Sequence, residues 1–146
     1  MFEGAECISY GARVLNEGGY HAVPQLYFPG GALAGCSAGF LNVSKIKGTH
    51  NAMKTGMLAA EAIFEKYSQG KDLSKEVLEN YQQKYEKSWV AEELYESRNF
   101  KSAFDYGLYP GLMHGGLTAH VTKGAEPWTL SHKHPDFEKT QPAELH

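Results

Sequence analysis

The residues whose types and spacing could do chemistry lie between positions 35 and 50. Gly35-Cys36-Ser37-Ala38-Gly39 follows a short apolar strand, Ala32-Leu33-Ala34, and its small side chains would let a ligand chain approach the backbone closely. A helix begins just past it, near Gly48-Thr49-His50. Its first amides and positive dipole end favour an anionic or partially negative ligand group. On pattern alone, ordinary strand-to-helix packing uses the same features. No set of nucleophile, base and orienting group is visible, which suits electron transfer more than acid-base catalysis. No catalytic residue is therefore assigned. His132-Lys133-His134 lacks a third metal ligand at suitable spacing and reads as polar tail, while His50 reads as a helix-start residue. Cys7 and Cys36 form no Cys-x-x-Cys pair, so this chain alone builds neither a disulfide framework nor a cysteine-ligated cluster. A reducing compartment follows.

The elements that must position these residues can be read along the chain. Ile8, Tyr10, Ala12 and Val14 recur at period 2 and predict a half-buried strand running into a turn at Asn16-Glu17-Gly18-Gly19. By spacing alone that glycine pair is a hairpin turn. Extended residues from Tyr20 to Phe28 follow, and Pro29-Gly30-Gly31 turns the chain into the 32–34 strand. Met53, Gly56, Met57, Ala60, Ile63, Phe64 and Tyr67 predict the buried face of a helix capped by Thr49. Gly56, Ala59 and Ala60 would let that helix pack closely on a sheet. Asp72 to Ser97 reads as one long amphipathic helix with Val77, Tyr81, Tyr85 and Trp89 in an i, i+4 row, which is core and carries no chemistry.

Tyr106 to Thr122 is a run of 17 residues without Asp, Glu, Lys or Arg. A spanning helix needs about 20 strongly apolar residues, and this run also holds Pro110, His114 and His120, so it is not expected to cross a bilayer. Tyr109, Met113, Leu117 and Val121 nonetheless align at i, i+4, with Lys123 and Trp128 where an interfacial segment would place a cation and an amphipathic ring. A helix packed on its own domain accounts for the same spacing. The whole chain has 146 residues, 42% of them hydrophobic, which is enough for a compact core. Its net charge of -3, with no basic stretch, argues against a nucleic-acid partner. Met1 to Glu6 lacks the blocks of a signal peptide and the Arg/Ser-rich character of a transit peptide.

The string Phe28-Pro29-Gly30-Gly31, Gly35-Cys36-Ser37-Ala38-Gly39-Phe40-Leu41-Asn42-Val43 and Lys45-Ile46-Lys47-Gly48-Thr49-His50-Asn51-Ala52-Met53-Lys54 resembles the electron transfer flavoprotein:ubiquinone oxidoreductase family. The resemblance extends back through Ile8 to Arg13 and Leu15-Asn16-Glu17-Gly18-Gly19, and forward through Ser88-Trp89 and Glu93-Leu94-Tyr95 to Glu126-Pro127-Trp128-Thr129-Leu130. It implies an α+β chain: part of a glutathione-reductase-like FAD-binding fold, with a quinone-binding region and a membrane-surface segment. The dinucleotide fingerprint Gly-x-Gly-x-x-Gly and the cluster-binding cysteines of that family are missing, so the resemblance implies an internal fragment. Its parts would be residues 1–34 as strands of the quinone region, 35–68 as the FAD-contacting loop and helix, 69–101 as an amphipathic helix, 102–130 as the membrane-surface segment, and 131–146 as a polar tail leading towards an iron-sulfur domain.

Carried over residue by residue, the resemblance implies FAD contacts at Gly35 and Cys36, where related flavoproteins have Gly-Asp, with Cys36 a packed thiol beside the flavin. Asn42 and Thr49 resemble the polar residues that hydrogen-bond the isoalloxazine, and amides near Gly48 would lie by its pyrimidine edge. Gly18 and Gly19 resemble the pair whose backbone meets the ubiquinone head group, and no metal ligand lies in this chain. The implied activity is that of a dehydrogenase passing electrons from reduced electron transfer flavoprotein through FAD and a 4Fe-4S cluster to ubiquinone. The isolated chain would be inactive. Its place would be the matrix face of the mitochondrial inner membrane, or the bacterial cytoplasmic membrane. Rival readings are a geranylgeranyl-reductase-like or hydroxylase-like flavoprotein, against which Cys36 and Asn16-Glu17-Gly18-Gly19 speak, and a non-catalytic membrane-surface module.

Overall fold

The computed structural model describes residues 4–12, 14–73, 78–131 and 138. Up to Gly18 the described backbone forms neither helix nor strand, and Ile8, Tyr10 and Val14 are at least 94% exposed. The strand expected there is not formed. Period-2 alternation becomes a strand only when a neighbour pairs its N–H and C=O groups, and no described strand does so.

Gly19–Ala22 is a 3-10 turn, in place of the expected hairpin turn. The sheet is one short antiparallel hairpin, β1 (Tyr27–Phe28) and β2 (Gly31–Ala32), with Tyr27 opposite Ala32 and Phe28 opposite Gly31. Pro29 and Gly30, the latter at φ +76°, make its tight turn. A second 3-10 turn, Gly35–Ala38, leads through a bridge between Asn42 and Lys47 to α1 (Thr49–Ser68). Gly48 is the N-cap and no side chain caps the helix, so Thr49 is its first residue and not its cap. At the other end Gly70 takes φ +71°, with Gly70 N–H bonded to Tyr67 O at 2.9 Å and Lys71 N–H to Lys66 O at 3.2 Å. This Schellman arrangement stops the helix.

The face that α1 buries is not the one its apolar spacing predicts. Asn51, Thr55, Leu58, Ala59 and Ala62 are inside, while Met53, Gly56, Met57, Ala60, Ile63, Phe64 and Tyr67 are exposed. The reason is the loop at 35–42. Its backbone is buried against α1, accepting a hydrogen bond from the Asn51 side chain and donating one to the Thr55 hydroxyl, partners that the larger apolar residues cannot offer.

The long helix expected over 72–97 is two: α2 (Glu79–Glu86) and α3 (Trp89–Glu96), with residues 74–77, and so Val77, outside the described residues. Ser88 breaks them by adopting extended backbone (ψ 156°) while its hydroxyl donates to Tyr85 O at 2.6 Å. Tyr81 and Tyr85 are core as expected, but Trp89 is 44% exposed. Tyr85 packs on Phe40 with ring centroids 4.8 Å apart, and the Tyr81 hydroxyl donates to Leu33 O at 2.9 Å. Burial pushes both phenols up to about 12.

Beyond α3 come α4 (Phe100–Ala103), a 3-10 turn (Phe104–Tyr106), α5 (Leu108–Leu117) and a π-helical turn (Thr118–Thr122). The return strand of chain at 124–130 is held by two buried neighbours. Arg98 donates to the carbonyls of Tyr95, Gly124, Glu126 and Trp128 and to Thr129 Oγ1, at 2.7 to 3.2 Å. Asn99 donates to Glu126 Oε1 and Trp128 O, and accepts from Leu130 N–H at 2.6 Å. The molecule is thus a mainly helical α+β chain with one minimal hairpin.

A carboxylate closes the fold between α3 and the α1 start. Glu93 accepts from Asn42 Nδ2 at 2.8 Å, Lys45 Nζ at 3.0 Å and His50 Nε2 at 3.0 Å. Burial raises its pKa, yet these three donors outweigh burial and hold it at about 2, below the ordinary 4.5. A depressed folded pKa stabilises the fold above the unfolded value and ceases to do so as pH falls towards 2. The contribution is about 2 kcal/mol, discounted because Lys45 is half exposed. We expect Glu93→Gln to lower stability at neutral pH and to flatten its loss between about pH 5 and 2, read by urea unfolding; parallel acid limbs would refute this role. Arg98→Lys, which cannot fork to the same carbonyls, should cost about 2 to 3 kcal/mol in the same assay.

Candidate functional site

The loop at 35–42 and the start of α1 form one packed unit. Gly35 is buried at φ +66°, its N–H donates to Thr55 Oγ1 at 3.1 Å, and a Cβ there would stand 3.2 Å from Ala52 Cβ. Asn51 Nδ2 donates to Phe40 O at 2.8 Å. A Cβ at Gly48 would lie 3.0 Å from Leu41 Cδ1 and 3.2 Å from Cys36 Sγ, so the loop and helix start touch where Gly48 has no side chain. Gly35, Cys36, Gly48 and Thr49 are therefore brought together. Cys36 is a half-buried free thiol, and Thr49 is exposed. The first rung of the helix runs from Ala52 N–H to Gly48 O at 2.8 Å, which leaves the amides of Thr49, His50 and Asn51 ahead of the ladder.

Asn42, expected beside Thr49 as a polar contact, faces inward. It is 1% exposed, donates to Glu93, and accepts from Ser44 Oγ at 2.7 Å and Lys45 N–H at 3.2 Å. His50 shares the same carboxylate and stacks on Trp89, the rings 3° from parallel with centroids 5.7 Å apart. Glu93 thus joins the loop, the helix start and α3. Sequence reasoning missed it because Glu92-Glu93 reads as part of a solvated face. Asn51 and Thr55 were legible in principle, as polar residues at i, i+4 opposite the Met53 stripe.

The Gly18-Gly19 turn lies against this unit. Gly18 N–H donates to Asn16 Oδ1 at 2.9 Å, a Cβ on Gly39 would meet Asn16 Nδ2 at 3.1 Å, and one on Gly19 would meet Val43 Cγ2 at 3.5 Å. Gly19 has φ +62°, so the turn itself needs a glycine there. An open cleft of about 610 Å³, walled by Tyr20, Tyr85 and Tyr95, starts at the next residue.

The stripe expected on the 106–122 run forms: Tyr109, Met113 and Val121 are 71 to 78% exposed and Leu117 is 40% exposed, on α5 and its π-helical extension. Gly111 and Gly115 face inward, where Cβ atoms would crowd Phe104 and Phe100. A second cleft, about 370 Å³, separates this segment from the loop, with Asn42, Lys45, Phe100 and Thr118 in its walls. Among the described residues no helix is long and apolar enough to cross a membrane, and no three His, Cys, Asp or Glu side chains gather as for a metal ion. His132 and His134 lie outside the described residues.

No protein-family model matches the chain. Curated proteins do. It is 51% identical over 146 residues to the mitochondrial electron transfer flavoprotein-ubiquinone oxidoreductase of Oryza sativa subsp. japonica, an alignment covering 100% of this chain and 24% of that protein. The protein of the same name from Dictyostelium discoideum is 47% identical over 154 residues, with 98% of this chain and 25% of the other covered. The Homo sapiens one is 49% identical over 147 residues, with 97% and 24% covered. The chain spans about a quarter of the length of these relatives. Over that quarter, the chain is a relative of the electron transfer flavoprotein-ubiquinone oxidoreductases.

Proposed function

We propose that these residues form the cofactor-to-quinone part of a longer flavoprotein that passes electrons from reduced electron transfer flavoprotein, through FAD and a 4Fe-4S cluster, to ubiquinone. The observation that carries this reading is the contact of two loops: the turn holding Gly18 and Gly19 packs against the loop holding Gly35, Cys36 and Gly39. A quinone at the first and a flavin at the second would be near neighbours, as electron transfer requires. The names of the relatives support the partners and a mitochondrial location, here proposed as the matrix face of the inner membrane, or a bacterial cytoplasmic membrane.

The residues fit the redox end of a flavin. Amides at the α1 start stand ahead of the helical ladder, the exposed Thr49 hydroxyl is beside them, and Cys36 packs behind. When bound, the flavin supplies the electron-accepting ring. The chain contributes donors and a helix dipole near the edge where negative charge gathers on reduction. Asn42 acts by holding Glu93 and the loop. The iron-sulfur cluster does not fit these residues, since Cys7 and Cys36 are the only cysteines, and its ligands are assigned to the chain outside them.

The exposed stripe on α5 is the proposed contact with the membrane surface, because a substrate as apolar as ubiquinone stays in the bilayer. Burying each large apolar side chain in lipid gains about 1.5 to 3 kcal/mol, and one aspartate there opposes insertion by as much or more.

Two outcomes test the reading. The 146-residue chain should purify without flavin absorbance, because it lacks a phosphate-binding fingerprint; stoichiometric bound FAD would refute that assignment. In a chimera carrying this chain in place of the matching segment of the Oryza sativa relative, Leu117→Asp should weaken liposome flotation and slow reduction of a long-tailed quinone. A water-soluble quinone should still be reduced at nearly the unmodified rate. Unchanged flotation and long-tail activity would make α5 an ordinary packed helix.

A further inference from the structure

The open cleft of about 610 Å³ that begins at Tyr20 carries three tyrosines, Tyr20, Tyr85 and Tyr95, and two carboxylates, Glu86 and Glu92. Neither lysine nor arginine lines it. Tyr20 and Tyr95 stand edge to face, 79° apart with centroids at 5.4 Å, and are 39% and 46% exposed, so both rings are open to a ligand. Arg98 lies over the Tyr95 ring at 3.9 Å, but it is buried against the return segment and is not part of the wall. Among the described residues no basic side chain pairs with Glu86 or Glu92, and Glu86 accepts from Gln82 Nε2 at 2.9 Å. Their charge is left for a ligand. Aromatic rings beside carboxylates attract a cation, and the apolar stretch made by Val23, Pro24 and Ala91 suits an alkyl stem behind it.

The cleft faces away from the segment proposed to meet the membrane. Ala91, Glu92 and Tyr95 of α3 line it, whereas Glu93, Glu96 and Ser97 line the cleft beside α5. At about 100° per residue the two sets centre on opposite sides of α3. An occupant of the tyrosine cleft therefore arrives from water and not from lipid. Nor is it the quinone: Gly18 and Gly19 are not in its wall, and a neutral ring offers two carboxylates no counter-charge. We infer that this cleft is the docking site for a lysine side chain of a soluble partner protein. The stem lies along Val23, Pro24 and Ala91, and the ammonium sits between the tyrosine rings and the carboxylates of Glu86 and Glu92. The identity of the partner rests on the function proposed above, in which the soluble protein that meets this chain is reduced electron transfer flavoprotein.

Two experiments test it. In the 146-residue chain, n-butylammonium chloride, which copies the stem and head of lysine, should shift the ring resonances of Tyr20 and Tyr95 saturably. n-Butanol and sodium chloride at the same concentrations should not. Glu86→Gln combined with Glu92→Gln, and separately Tyr20→Leu, should weaken that binding about fivefold or more. The melting temperature should not change, because all three side chains are exposed. No saturable shift, or an equal one with n-butanol, overturns the site. In the Oryza sativa chimera the double variant should raise KM for reduced electron transfer flavoprotein about fivefold at low salt and by less at high salt, while KM for the long-tailed quinone stays where it was. An unchanged flavoprotein KM in an active chimera overturns the docking assignment and leaves the proposed function standing. A chimera that takes no electrons from the flavoprotein refutes the proposed function, and the cation site then stands or falls by the n-butylammonium shift. Weaker flotation of the double variant on phosphatidylcholine vesicles, whose headgroup is also an alkylammonium, overturns the protein partner and assigns the cleft to lipid.

Discussion

An irregular loop can be buried only if its backbone polar groups find partners, and the loop at 35–42 imposes that constraint on everything around it. Gly35, Ala38, Gly39, Phe40, Leu41 and Asn42 are all buried. A stretch with so little ladder of its own would otherwise leave N–H and C=O groups unpaired at about 1 to 3 kcal/mol each. Thr55 takes the Gly35 amide, Asn51 supplies the Phe40 carbonyl, and Asn42 finds Glu93. Helix α1 is rotated to suit, with its polar side chains inward and its methionines and aromatics outward.

The same logic repeats in the second half with a stronger donor. One guanidinium satisfies four carbonyls and a hydroxyl, while the neighbouring amide of Asn99 takes both a donor and acceptors from the same return segment. Two adjacent residues just past α3, Arg98 and Asn99, therefore hold 124–130 in place. Glu93 sits five residues before Arg98, within α3 itself. The short stretch from Glu93 to Asn99 thus fixes both the loop at 35–42 and the return segment at 124–130.

Two apolar faces are left over, and they differ in kind. The α5 face combines tyrosine, methionine, leucine and valine with no charged residue in the run, which suits a lipid surface without a defined shape. The α1 face lies beside the charged residues Glu61 and Glu65, which pair with Lys84 of α2. The proposed redox centre lies where the Gly18-Gly19 turn meets the loop, at Gly39 and Val43, ahead of α1. A quinone in the bilayer and a flavin held partly by another segment could then meet within a short distance.

Much of this was legible in the residues alone. The Pro29-Gly30 turn, the start of α1 near Gly48 and the small-residue loop all follow from local steric rules, because proline fixes φ, glycine reaches backbone angles closed to other residues, and small side chains permit close approach. What the sequence could not decide was which side of each apolar pattern faces inward. Hydrophobic spacing marks a stripe, but the buried side is chosen by what lies against it. At α1 that was a loop demanding hydrogen bonds, so Asn51 and Thr55 displaced Met53 and Phe64. At Ile8 to Val14 it was the lack of a paired strand among the described residues. Glu93 became central only when the tertiary structure brought Asn42, Lys45 and His50 to it across more than 40 residues of chain, a convergence that no local pattern encodes.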